Sequence, residues 1–583
     1  MSPRRVLKSA LLFCAVAVVA AGCWCAVRGY LVRGHVAIAR TQLARLESAV
    51  RNGDAAAAQR RLDSVQQQTA AARSLTSDVV WRLAGLVPRV GATFTTTRGL
   101  AAVADDVAQS ALPSLLDAGV ELAPRQLRVR GDTVSVERLQ RAQAPLRSGL
   151  AALARALATT RSLPRRNVIT AVRRARAEAV ADLERLVSSA QTASLVADVG
   201  PGLVGADRPR RYFVAIQNNA EARATGGLVG AFAILEAAHG RLRLVQVGST
   251  RDLRDTYPVP AVNLGADFTR RYRRFGADST WRDSNMSPHF PSAAAVWMAL
   301  WKHQTGQQLD GALAVDPVAM SAILRVTGSV RVAKQLVATS ANVVAMTESA
   351  VYALTSDDEV RDRFLQVVAR KLFDKFVSGS GDPVRLVRAL AASAGTNHIQ
   401  LAVVDPAAQR RLAATPVGGV LPSDNGPFFE LVTQDAGGSK LDYYLRRAIR
   451  YDLGAARRDG TREATIVVRV RNTAPRSGLP AYVTTRADLP AGRAPVSGQT
   501  LTYVSAYCGA GATLLNATLD GRRVLLESHI ERRHSVFSRF VTVDPGKEVV
   551  LRLHVLEPPG GPRQPTLRTQ PLVAPDDVAV SAR

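Results

Sequence analysis

The sequence predicts a multidomain α+β protein, helical in its first third and strand-rich in its last, and three observations lead there. Residues 34–200 repeat apolar side chains at spacings of three and four, the period of packed helices. Residues 208–420 alternate compact apolar runs with helical stretches, the mark of an α/β layered domain. Residues 450–557 break into short alternating strands separated by turn dipeptides, as in a β-sandwich. With 583 residues, 47% hydrophobic and 21% charged, the chain is globular and long enough for several cores. The resulting divisions are 1–33, 34–205, 206–449, 450–560 and 561–583.

The first division reads as a cytoplasmic stub and a transmembrane anchor. Ser9–Val27 holds 19 uncharged residues, which as a helix span ~28 Å, about one hydrocarbon core. Arg4, Arg5 and Lys8 precede it, so the positive-inside tendency places the amino terminus in the cytoplasm and the bulk of the chain outside. Ala20-Ala21-Gly22-Cys23 offers a second reading, cleavage with lipidation of Cys23. The apolar run continues to Val27, which favours the uncleaved anchor. The net charge is +28, and 69 of the 76 basic residues are Arg. Such a charge suits nucleic acid, but an extracytoplasmic chain meets anionic envelope polymers and headgroups instead, so no nucleic-acid partner is expected. Only Cys508 lies beyond the apolar run, which excludes a disulfide framework within one chain.

The second division is a helical stalk. Val36, Ala39, Leu43, Leu46 and Val50 form a heptad-like seam, Asn52-Gly53-Asp54 breaks it, and Leu62, Val65, Thr69 and Ala72 resume it, predicting an αα-hairpin. Thr76-Ser77-Asp78 suits the cap of a third helix. Longer helices follow near Val136–Thr160, where Pro145 kinks or restarts the chain, and Asn167–Val196.

In the third division, Tyr212–Ile216, Gly230–Leu235 and Leu242–Val247 are strands, with His239-Gly240 as a turn. A helix over Ser292–Gln304 ends before Gly306. Leu309–Val315 is a buried strand, and Asp316-Pro317 opens a helix stopped by Gly328. More helix lies within 340–378, and a strand near Ile399–Val404. In the fourth division, Thr465–Arg471, Thr513–Leu519, Val524–Glu527, Val536–Val543 and Val549–Leu556 are strands. Asp520-Gly521 and Pro545-Gly546 are turns. The Pro-rich polar tail, 561–583, is expected to be disordered.

Several chemistries have no local motif here. There is no H-E-x-x-H, no Cys/His zinc spacing, no G-x-S-x-G, no S-x-x-K and no P-loop. Gly200–Gly205 matches G-x-G-x-x-G, but follows a helix rather than a strand and reads as an interdomain turn. What remains is polar clusters where loops should lie. Asn218, Asn219, Glu221 and Arg223 follow the first strand, Arg251, Asp252, Arg254 and Asp255 the third, and Arg282 and Asp283 come later. Arginine's planar fork grips phosphate oxygens, and a nearby carboxylate can hold Mg²⁺ against the same phosphates. Gly226-Gly227 permits close backbone approach. Each Arg–Asp pair is equally readable as a solvated ion pair, and Asn218, Asn219 and Glu221 either orient the arginines or cap a turn. Asn425-Gly426 and the run Gly437–Tyr444 form a further cluster, in which Lys440 is a phosphate contact or part of a turn toward the sandwich.

QNNAEARATGG followed by VGSTRD, then RDSNMSPHFPSAA, LDGALAVDPVAMSAILRVTGSV, GGSKLDYYL and NTAPRSGLPAYV, resembles a family of membrane-anchored bacterial proteins known only as a domain of unknown function (number four thousand and twelve). More distantly, the succession of strand, Arg-containing loop, strand, hairpin, strand and Arg-Asp is similar to the LytR-CpsA-Psr family. That similarity implies a LytR-CpsA-Psr-like α/β domain and an envelope glycopolymer phosphotransferase. The implied partner is a polyprenyl-pyrophosphate-linked glycan, or another anionic envelope ligand, and the implied cofactor is Mg²⁺. On this match Val247–Asp252 stands at that family's Pro-Arg-Asp segment and Arg223 near its Arg-Ser-Asp-Thr segment, which makes Arg251 and Asp252 the catalytic candidates. From the residues themselves Asn218, Asn219, Arg223, Arg254, Arg282 and Lys440 are expected to bind substrate, and Asp252 or Asp283 to hold the metal, with Glu221 as a substitute ligand. Ala224-Thr225-Gly226-Gly227 stands where that family has a second metal-binding Asp. This departure gives the rival expectation, an assembly or scaffold protein in which the transferase chemistry is lost.

Overall fold

The computed structural model describes residues 3–130, 132–355, 357–423, 426–489, 497–560 and 564–582, with backbone alone over 3–19 and at a few other positions. The chain divides into two compact units, Met1–Ala206 and Asp207–Arg583.

The first unit is helical. Helix α1 (Pro3–Asn52) ends where Gly53 takes a left-handed φ of 74°, and Asp54 caps α2 (Ala55–Thr76) by accepting from Ala57 N. The expected hairpin seam holds from Leu46 onward against Leu62 and Val65. Nearer the amino end it shifts, because Val36 is exposed while Val32 is buried and His35 Nδ1 meets Gln68 Oε1 at 2.7 Å. Asp78 caps α3 (Val79–Ala84). Helices α4 (Gly91–Asp106), α5 (Leu112–Glu121), α6 (Val136–Ser162) and α7 (Thr170–Leu203) complete the unit. α6 runs through Pro145, and α7 through Pro201, so the anticipated interdomain turn is confined to its last residues around Gly205 (φ 72°). The expected anchor, Ser9–Val27, falls within α1, but most of its side chains lie outside the described residues. No helix among the described residues is long and apolar enough to cross a membrane.

The second unit begins with a mixed sheet. Its strands are β1 (Arg210–Arg223), β2 (Gly226–Ala238), β3 (Arg241–Ser249), β4 (Gly311–Val315) and β5 (Ile399–Val403), adjacent in the order β3-β2-β1-β4-β5. Only β1 and β4 pair in parallel. Strand period two sends Phe213, Ala215, Phe232 and Ile234 to one face, where α8 (Phe290–Thr305) adds Trp297 and Trp301. Ile216 and Val315 face the other way, toward α9 (Pro317–Thr327) and α10 (Asp358–Val377). Helices on both faces make the α/β layering that the sequence predicts.

One expectation fails in β1. Asn218–Arg223, read as a loop, belongs to the strand, which pairs with β2 out to Arg223↔Gly226. The register slips between Asn218 and Ala222, so Asn219, Ala220 and Glu221 bulge out of the ladder. Polarity hid this strand, because its amides and side chains find partners far away in sequence. Gly227 is where the hairpin closes most tightly, since a Cβ there would stand 1.9 Å from Asn218 O. Gly227→Ala is therefore expected to lower the unfolding free energy by about 3 kcal/mol, seen as an earlier midpoint in chemical denaturation.

The rest is a β-sandwich, wider than expected. One sheet contains β6 (Phe428–Asp435), β9 (Thr500–Ala510), β11 (Glu527–Glu531), β12 (His534–Val543) and β14 (Thr566–Thr569). The other contains β7 (Leu445–Ala456), β8 (Arg462–Asn472), β10 (Thr513–Leu519), β13 (Glu548–Glu557) and β15 (Asp577–Ala582). Leu431, Ile449, Ile466, Val468, Val504 and Leu553 fill the space between them. The sandwich thus starts at Phe428 rather than 450. The tail is also corrected, since β14 pairs in parallel with β6 and β15 with β7. Proline-rich composition suggested disorder there, but two existing sheets supply ready ladders for short strands that could not stand alone.

Candidate functional site

The bulge in β1 frees backbone amides inside the protein, and buried carboxylates take them up. Ala220 N donates to Glu348 Oε2 at 2.6 Å, and Ala222 N to Asp442 Oδ2 at 2.8 Å. Burial pushes Glu348 up to about 8, with the charges of Asp316 and Glu221 adding to it. Burial likewise raises Asp442, and raises Asp435 well above the carboxylate range with Asp442 contributing.

Beside the bulge lies a cavity of about 450 Å³. The hairpin supplies Asn218, Glu221 and Arg223, the turn after β3 supplies Arg251 and Asp255, and Arg282 follows from the next loop. The far wall is Arg361 and Asp362 of α10, with Tyr352, Lys440 and Tyr482. Five cations and three carboxylates therefore line it. Arginines from separate segments line one opening.

The cations differ in what they have left to offer. Arg223 is buried and occupied, with Nε on Arg282 O, Nη1 on Ala222 O and Asp435 O, and Nη2 on Asp283 Oδ1. It is a structural tie rather than a phosphate clamp. Arg251 is half-exposed, paired with Asp358 and donating to Tyr482 Oη at 3.0 Å. Arg282 is exposed and meets Asp255 at 3.3 Å. Lys440 Nζ lies 2.5 Å from Glu221 Oε1 and 5.0 Å from the Tyr482 ring centre. Arg361, 2% exposed, sits 3.9 Å over that ring and pairs with Asp358, while its Nη1 is buried without a hydrogen-bond partner among the described residues.

Other expected site residues lie elsewhere. Asn219 Nδ2 donates to Asp316 Oδ2 and Pro571 O, and Arg254 Nε to Thr256 O. Asp252 accepts from Ser249 N and caps its own turn. The carboxylates proposed for Mg²⁺ do not form one donor set. Asp252 holds that amide, Asp283 holds Arg223 and Glu221 holds Lys440. Among the described residues no group of three or more His, Cys, Asp or Glu is arranged to hold a metal. In the second cluster, Asn425 lies outside the described residues.

Arg361, Asp362, Tyr352 and Tyr482 escaped sequence reasoning. A signal existed for Arg361, because Arg361, Leu365, Val368 and Leu372 share a helical stripe, and a charge on an apolar stripe asks for a reason. Nothing local marks Tyr482.

Residues 207–352 match the model of a family described as a protein of unknown function (DUF4012). The match takes in Asn218, Arg223, Arg251 and Arg282 and stops before Arg361 and Lys440. No curated protein matches the chain. A crystal structure from Legionella pneumophila, described as a candidate nutrient binding protein, is similar over 23% of this chain and 43% of its own. Identity there is 8% and the TM-score 0.15, so this chain spans under half of that protein and the likeness is too slight to argue from.

Proposed function

We propose that the second unit binds the phosphate or pyrophosphate group of an anionic envelope ligand, a lipid-linked glycan by class, in the cavity between the β1–β2 hairpin and α10. The observation that carries this reading is the excess of cations around a half-open cavity, with Arg361 Nη1 buried and unpartnered beside it. An unsatisfied guanidinium N–H is costly, and an oxyanion would satisfy it. Arg251, Arg282 and Lys440 have charge near the opening, and their carboxylate partners can be exchanged for phosphate oxygens. The chain works outside the cytoplasm in this proposal, held by the apolar run Ser9–Val27. Binding without group transfer is favoured over a transferase, because the carboxylates near the cavity are each engaged by a cation, an amide or a hydroxyl.

Isothermal titration of the full chain with inorganic pyrophosphate tests this. Binding is expected to weaken about tenfold in Arg251→Ala, the loss of one charge-assisted contact, and to weaken as salt rises. Adding Mg²⁺ is expected to leave the affinity unchanged. Absence of binding, or unaltered binding in both Arg251→Ala and Arg282→Ala, refutes the proposal. Mg²⁺-dependent transfer of a labelled polyprenyl-pyrophosphate glycan would restore the enzyme reading.

A further inference from the structure

One end of the helical unit carries features that the cavity does not explain. Trp24 Nε1 donates to Asp78 Oδ2 at 2.9 Å, and Arg28 meets the same carboxylate at 2.8 Å, so α3 sits beside the segment of α1 where its apolar run ends. Trp81 packs edge-on against Phe94 at 5.3 Å. Ile169 N donates to Thr93 Oγ1, and Thr96 Oγ1 to Pro164 O, bringing the α6–α7 connection to the same end.

The surface made there is unusual in two respects. Leu83, Leu86, Val87, Val90 and Ile169 are all exposed, Leu86 to 78% and Ile169 to 58%. Residues 79–98 and 161–176 together contain nine arginines and no Asp or Glu. Arg82, Arg89, Arg165, Arg166, Arg173 and Arg174 are exposed around the apolar residues. Asp78, the nearest carboxylate before the first of these segments, is already taken by Arg28 and Trp24. On the neighbouring stretch of α1, Trp24 and Tyr30 are exposed aromatics.

We infer that this end is a lipid-docking platform, which lays its apolar side chains into the headgroup boundary of an anionic bilayer while the arginines meet phosphates. Exposed apolar residues rimmed by cations suit an interfacial surface. A protein partner would more often find both charge signs on the rim. Exposed Trp and Tyr are residues that settle near headgroup depth. The platform also lies where α1 leaves its apolar run, so an anchor formed by that run would bring the platform to the lipid surface. The inference concerns the first unit alone and is independent of phosphate binding in the cavity.

The test reconstitutes the full chain in vesicles of phosphatidylcholine, or of phosphatidylcholine with about one third phosphatidylglycerol, and follows deuterium uptake by residues 79–90. Uptake is expected to be about tenfold slower in the anionic vesicles than in the neutral ones. High salt should remove that difference, as should the combined variant Arg89→Glu, Arg165→Glu and Arg166→Glu. Leu86→Asp should weaken the protection without touching the charge. Residues 212–216, in a buried strand, serve as the folded reference. Uptake that is the same in detergent and in both vesicles overturns the inference. So does protection that tracks protein concentration in detergent, which would point to a second copy of the chain.

Discussion

Removing residues 564–582 is expected to cost the second unit more than 5 kcal/mol and to unfold its sandwich well before the intact chain. The segment is fastened by buried charge. Arg447 meets Asp576 through Nε and Nη2 at 2.7 and 2.8 Å, and both side chains are 1% exposed. Its Nη1 also donates to Thr433 Oγ1 and Gln570 Oε1. Arg568 Nη1 lies 2.8 Å from both oxygens of buried Glu430. Deleting the tail leaves Arg447 and Glu430 as uncompensated interior charges, and each such loss costs about 3–5 kcal/mol. Arg447→Met, which strands Asp576 alone, is expected to cost a similar single increment. Guanidinium denaturation read by intrinsic fluorescence measures both. A truncated chain with the midpoint of the intact one would show that the tail contributes nothing.

The second large effect is a dependence on pH. Burial holds the Glu348 carboxyl at about 8 against an ordinary value near 4.5. Below the ordinary value both folded and unfolded chains carry the proton, and the folded state has its full stability. As pH rises toward 8 the unfolded chain releases that proton first, so stability falls through this window and then levels off. Each pKa unit is worth about 1.4 kcal/mol, which makes the loss a few kcal/mol. Glu557, raised to about 7 by burial, works in the same direction. Glu348→Gln keeps an acceptor for Ala220 N and removes the titration. The variant should match the parent at pH 4 and exceed it in melting temperature at pH 9. Parallel curves for the two proteins would exclude Glu348 as the origin.

The parts of the fold that were legible in the sequence are those decided locally. Asn52-Gly53-Asp54 ends one helix and caps the next, and Asp78 and Asp316 cap theirs, because an Asp before a helix accepts a first-turn amide whatever the rest of the chain does. Asp520 and Gly521, with φ of 49° and 80°, make the turn expected of that pair. What could not be read depends on distant partners. The polar strand end Asn218–Arg223 is tolerated because Glu348, Asp442 and Asp435 lie against it, more than a hundred positions later. Arg223 looked like a ligand contact, yet two backbone carbonyls, Ala222 O and Asp435 O, take its Nη1, a fact no spacing encodes. Arg251, Arg282 and Lys440 do line the cavity, but so do Arg361, Asp362 and Leu365 of α10 and Tyr482, which the local pattern left unmarked.

The tail strands also bear on how the protein is made. β14 and β15 are synthesised more than a hundred codons after β6 and β7, yet they lie beside them in the two sheets. Two half-finished sheets must therefore wait, with hydrogen-bonding edges unsealed, until those later strands have been made. A stop codon ahead of residue 564 would leave those edges open for good, and cellular proteases would meet an incompletely closed sandwich rather than a shortened but sound one.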